Sequence, residues 1–401
     1  MDFGIPAYQN CDEVTDVASL GQCLDSGLIN KVGETPVGSL DFLDVAATLD
    51  KVYAIGGNTL SLTTWNRNAA TGELTFSVTE TNYLKLQGAR SLALSPDEKN
   101  VYVASPGYGV GSASTAIISW WTRDLATGVL TGLDTDNTAG CDLADFNAPG
   151  STCTDPDLAG VNDVLVSPDD KYVYAIMQNA NNLVYWERDS ATGALTNKVV
   201  VPAPGGSPPE GTSFIRSFSG TMDPDGLNLY TFAPGGGVTG LLSWTRDPVD
   251  GSLTFQKYIV KQPGFIAGVV SPDGKHMYAV SNARNGISVF DRDAATGELC
   301  NERNFEDDSL LDGANDVTVS PDGTKVFVAP REANAVVSFD RDASTGDLTC
   351  QFSETDNTYL KKVTAVVMDP NGDNLYAVSR RDTTSAFTGS ASIVTWATTG
   401  V

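Results

Sequence analysis

Histidine is nearly absent, with one residue in 401, and basic side chains are scarce, 25 Lys and Arg against 50 Asp and Glu for a net charge of −25. A single histidine argues against a His-ligated metal or a Ser-His-Asp arrangement. The acidic balance argues against binding nucleic acid or anionic membranes, both of which call for a basic footprint. No stretch approaches 18 uninterrupted apolar residues, so no membrane-spanning helix is expected. Methionine is rare at five residues, while Gly (39) and Pro (19) are plentiful, a balance that suits a turn-rich β protein. Residues Met1 to Cys11 show neither a basic start nor an apolar run. Such a chain is either cytosolic or exported with its signal removed.

Six cysteines bear on that choice. Cys11 and Cys23 are twelve apart, as are Cys141 and Cys153, and no pair has Cys-x-x-Cys spacing. Two short disulfide-closed loops are expected, hence an oxidising compartment, secreted or periplasmic.

What the sequence does have is a repeat. The unit Val-Ser-Pro-Asp-Gly…Val-Tyr…Arg-Asp-x-x-Thr-Gly-x-Leu recurs along the chain, its central aromatic falling at Tyr53, Tyr102, Tyr174, Tyr230, Tyr278, Phe327 and Tyr376. The spacings are 49, 72, 56, 48, 49 and 49 residues, so there are seven copies, two with insertions. Each copy reads as four short strands joined by tight turns, the third strand ending in an aromatic at 65, 120, 186, 244, 290, 339 or 396. Four-stranded units at this period are propeller blades. The expected fold is therefore all-β, a seven-bladed propeller of antiparallel blades. The last copy lacks its fourth strand, and residues 26–34 resemble the missing piece. Residues 1–25 are then an extension, and 26–401 one propeller closed by its N-terminal strand. Cys300 and Cys350 close the fourth strands of adjacent blades, offset by one residue, so their side chains point to opposite faces as a blade-to-blade bridge requires. Against it, fourth strands are outermost and blades splay toward the rim, while a disulfide needs Cα atoms within about 7 Å, so bridged and free are both open readings.

The segment Gly313-Ala314-Asn315-Asp316-Val317-Thr318-Val319-Ser320-Pro321-Asp322-Gly323, followed by Arg341-Asp342-x-x-Thr345-Gly346-x-Leu348, resembles the lactonase-like seven-bladed propellers, which include 6-phosphogluconolactonases and carboxymuconate-cyclising enzymes. The resemblance covers residues 26 to 401 and sits in turns that hold blades together. For the muconate-cyclising members it implies a histidine with Arg and Glu near the channel. Here His276 follows a Ser-Pro-Asp-Gly turn and belongs to the opposite, bottom face.

Candidate site residues are those on the top face outside the repeat. The repeat arginines 67, 123, 188, 246, 292 and 341 are expected to pair with the Asp or other residues beside them. Arg90, Arg216, Arg284, Arg331, Arg380 and Arg381 fall on top loops or channel-lining strand starts, where they could hold a carboxylate or phosphate. Asp163 and Asp316, each preceded by an asparagine (Asn162, Asn315), occupy equivalent strand starts. They read either as general bases toward water or a lactone, or as caps on backbone groups. The Asp-rich insertion at 134–163 invites calcium, but it lacks the spacing of a twelve-residue calcium loop. No cofactor is expected. The functional expectation is a monomeric propeller that binds a small anionic or lactone-type compound at the top of its channel and, if catalytic, hydrolyses or isomerises it; the alternative is a non-catalytic extracellular scaffold that binds another protein.

Overall fold

The Ser-Pro-Asp-Gly and Arg-Asp-x-x-Thr-Gly segments close hairpins, as their chemistry dictates. In the sixth repeat the Ser320 hydroxyl accepts from the Lys325 N–H and donates to Asp322, and Gly323 sits at φ +72°. Asp342 accepts from the N–H groups of Ser344 and Thr345, and Gly346 follows at φ +76°, where a side chain would be strained. The computed structural model describes residues 30–36, 40–82, 85–107, 116–135, 155–178, 182–202, 217–234, 240–260, 264–380 and 391–398. Among them lie seven four-stranded antiparallel sheets, the blades of one all-β propeller.

The innermost strands of blades 1 to 7 are Asp44–Ala47, Ser91–Leu94, Val161–Val166, Ser219–Met222, Ala267–Val270, Ala314–Val319 and Val363–Met368. Blade 7 takes its outermost strand, Asn30–Pro36, from the N-terminal side of the chain, antiparallel to Ser392–Ala397. Residues 26–29 of the expected strand lie outside the described residues, and the pairing runs on to Pro36, two residues past the expected end. Lys31 on this strand also reaches blade 6, 3.4 Å from Glu354 and 3.1 Å from Asp356. Removing residues 1–36 would expose the edge of Ser392–Ala397 and cancel a ladder whose hydrogen bonds contribute roughly 1 kcal/mol each. The truncated chain is expected to unfold at markedly lower urea; an unchanged midpoint would contradict this closure.

Apolar packing divides into seven clusters, one per blade–blade interface, and the cluster of Val45, Trp65, Tyr376 and Ile393 joins blade 7 to blade 1. In blade 2 the residue equivalent to Trp65 is Trp121, not Trp120. Trp121 opposes Val101 as Trp65 opposes Val52.

The repeat arginines do not pair with their own Asp neighbours. Each reaches back to the preceding blade. Arg123 Nε donates to Tyr53 Oη (2.8 Å), which in turn donates to the Gly128 carbonyl, while the guanidinium meets Asp50. Arg188, Arg246, Arg292 and Arg341 repeat the arrangement with Tyr102, Tyr174, Tyr230 and Tyr278, and Arg67 closes the ring on Tyr376 and Asp369 of blade 7. The seventh interface lacks both partners together: Phe327 replaces the tyrosine where Thr398 stands in the arginine position.

Cys300 and Cys350 sit on neighbouring outermost strands, opposite Asp291 and Phe339; Cys350 is disulfide-bonded, and Cys300 is not its partner, so the two are not bridged to each other. Cys350 is buried between blades 5 and 6, whereas Cys300 is partly exposed. Cys11, Cys23, Cys141 and Cys153 lie outside the described residues.

Candidate functional site

The seven inner strands surround an axial cavity of about 600 Å³. Superposing the blades on their strand pairing gives one ring of equivalent residues: Asp44, Ser91, Asp163, Ser219, Ala267, Asp316 and Ala365. Three are carboxylates, so Asp44 joins the two read from the sequence, and all three line the cavity.

Each carboxylate ties its own blade to a neighbour, and Asp163 ties its blade to both neighbours. Asp44 accepts the N–H of its own strand's Val45 and of Leu92 in blade 2, both at 2.8 Å. Asp163 accepts from Val164 and from Gly220 of blade 4, with a 2.5 Å bond from the Ser91 hydroxyl. Asp316 accepts from Val317 and from Val366 of blade 7. Asn162 and Asn315 sit at register shifts in their strands, which aim their amides at the carbonyls of Phe218 (2.5 Å) and Thr364 (2.7 Å) in the next blade. These five residues therefore hold neighbouring blades together, and the capping reading of Asp163, Asp316, Asn162 and Asn315 accounts for their hydrogen bonds.

Burial still governs their titration. It pushes Asp44 up to about 7, despite the Leu92 N–H, with the charges of Asp316 and Asp163 adding to the rise. Asp163 and Asp316 rise to about 6, again through burial first. The folded state thus holds protons that the unfolded chain, near 3.8, releases. Stability from these groups is fully present below about pH 4 and is lost as pH climbs through 6 to 7. At the acid end Asp97 and Asp273, held near 2, act oppositely and lose their contribution as pH falls below about 4. The melting temperature is expected to rise from pH 8 to 5, and less steeply in Asp44→Ser. Serine already occupies the equivalent position in blades 2 and 4, so the ring accommodates it. An identical pH slope in the variant would contradict the assignment.

Arginine forms the other half of the site. Arg331 and Arg380 follow the second strands of blades 6 and 7 at equivalent positions, and Arg90 precedes Ser91; all three line the cavity. Arg380 pairs with Asp41 at 3.2 Å. Among the described residues no ion pair reaches Arg90 or Arg331, and Arg331 Nε is buried with no hydrogen-bond partner. Burial and the nearby Arg380 charge both lower the pKa of Arg90.

Arg284 is not part of this group. It is clasped by Glu306 at 2.6 Å, with Glu302 at 3.9 Å, and does not line the cavity. Arg216 and Arg381 lie outside the described residues. His276 is buried on the bottom face, its Nδ1 2.7 Å from an Arg341 nitrogen, and burial and the Arg341 charge lower its pKa. In the insertion, residues 136–154 lie outside the described residues, and Asp155 and Asp157 are both bound by Lys198.

The family described as Lactonase, 7-bladed beta-propeller matches residues 254–359, which take in the outermost strand of blade 4 and all of blades 5 and 6. The fold is that of a lactonase-like propeller. A periplasmic gluconolactonase from Pseudomonas aeruginosa superposes with a TM-score of 0.57 at 17% identity, covering 78% of this chain and 84% of that one. A putative 6-phosphogluconolactonase from Bacteroides fragilis gives 0.61 at 18%, covering 87% and 92%. Kuenenia stuttgartiensis hydrazine synthase gives 0.59 at 14%, covering 90% and 96%. No curated protein matches the sequence. At such identities the likeness is one of fold, and hydrazine synthase shows how little this fold fixes the chemistry it carries.

Proposed function

We propose that this lactonase-like propeller binds a small carboxylate or lactone-type compound in its axial cavity, with Arg90, Arg331 and Arg380 holding the anionic group. One observation carries this reading. In a chain of net charge −25, Arg90 and Arg331 project into a cavity with no carboxylate paired to either among the described residues. Guanidinium groups are suited to two-pronged binding of a carboxylate. Any turnover would be lactone hydrolysis: water adds to the carbonyl, the ring C–O bond breaks, and Asp163 or Asp316 takes the water proton and returns it to the leaving alkoxide. The scaffold reading draws support from the blade-to-blade bonds of those same carboxylates. Thermal-shift titration with mono- and dicarboxylates and with γ- and δ-lactones separates the two. Saturable stabilisation that disappears in Arg331→Ala supports binding, whereas a flat response across the set supports the scaffold.

The compartment belongs to the same proposal. Export through an oxidising environment would leave at most two thiols reactive after denaturation without reductant. Six reactive thiols would place the chain in a reducing compartment instead.

A further inference from the structure

We infer that the axial cavity selects an anion with an apolar body, an aryl or alkyl carboxylate, over a polyhydroxylated sugar acid; this rests on the anion-binding reading above. The cavity wall is two-sided. Its cationic side comes from blades 6, 7 and 2, through Arg331, Arg380 and Arg90. Facing it, blades 4 and 5 contribute Phe218, Pro234, Ile266 and Ala267. Phe218, Ile266 and Ala267 remain partly exposed there, so a ligand can still cover apolar surface.

Apart from Asn282 of blade 5, the polar side chains on the neutral side are already engaged. The Ser219 hydroxyl donates to the Ile266 carbonyl at 2.6 Å, and the Asn162 amide to the Phe218 carbonyl. The Asn315 amide and both oxygens of Asp163 are engaged in bonds between blades, while Asp316 accepts from Val317 on its own strand and from Val366 of blade 7. A polyol entering this space would exchange water for a wall offering few free partners, and each unmatched hydroxyl counts against binding. An apolar body loses nothing there. A carboxylate at one end suffices to engage the arginines.

Calorimetric titration with 1-naphthylacetate and gluconate at equal ionic strength tests this. The native protein is expected to bind 1-naphthylacetate at least tenfold more tightly than gluconate. Ile266→Thr, which keeps a β-branched side chain just before the inner strand of blade 5, is expected to weaken 1-naphthylacetate at least threefold and leave gluconate unchanged, with a native-like melt confirming the fold. Gluconate binding as tightly as 1-naphthylacetate would overturn the inference while leaving the arginine site standing. Failure of both probes to bind would overturn both.

Discussion

Alanine at both Arg90 and Arg331 is expected to weaken carboxylate binding by at least 100-fold with little change in the melt. A hydrogen bond to a charged group is worth roughly 1.5–3 kcal/mol, or about ten- to 100-fold in affinity for each arginine. Neither side chain takes part in a blade-to-blade ion pair among the described residues, so their removal costs the fold little. Removing Arg331 even relieves a buried Nε that has no partner. Arg331→Lys should recover only part of the affinity, since an ammonium keeps the charge but loses the planar fork. Calorimetry on the three proteins checks the order native, Lys, double Ala.

The second large effect falls on stability, at Arg67→Ala. Arg67 and Asp369 are an almost fully buried pair across the blade 7–blade 1 interface, side chains 1% and 0% exposed, and Arg67 also donates to Tyr376 and Asn374. Truncating the arginine leaves Asp369 buried without its counter-charge, a loss of about 3–5 kcal/mol. Arg303→Ala is the control. Its pairs with Asp291 and Asp347 lie at the surface, where such bonds contribute about 0–1 kcal/mol. Urea unfolding of both variants should separate them clearly, and equal losses would mean the buried ring does not hold the blades.

The fold was legible because its repeat is built into turn chemistry. Ser-Pro-Asp-Gly and Arg-Asp-x-x-Thr-Gly mark the hairpins, and the aromatic spacing counts the blades. Even the exceptional interface leaves a sequence trace, since Phe327 and Thr398 depart from the pattern together. Partners across blades left none. Arg123 precedes Asp124 in the chain, yet its charge is met by Asp50, some seventy residues away.

Asp44 escaped the sequence reading for a specific reason. In blades 2 to 7 the ring residue stands eleven positions before the central aromatic, as Asp163 does before Tyr174. Blade 1 has a hairpin two residues shorter, so that offset lands on Phe42 instead of Asp44. Thr48 and Asp50 hold the places of the turn's Ser and Asp, and allowing for two residues fewer after them would have found it. Arg284 misled for another reason: a top-face position does not say whether a side chain faces the axis or the rim, and the register of Gly286 with Glu306 turns this corner toward its own outer strand.

The most direct test of the central claim is a crystal soaked with 4-bromobenzoate and measured at the bromine absorption edge. The account predicts one anomalous peak inside the axial cavity, with the carboxylate in hydrogen-bond contact with Arg331 Nε and near Arg90. A peak confined to the rim or bottom face, with the cavity holding only water at a concentration that saturates binding in solution, would contradict it.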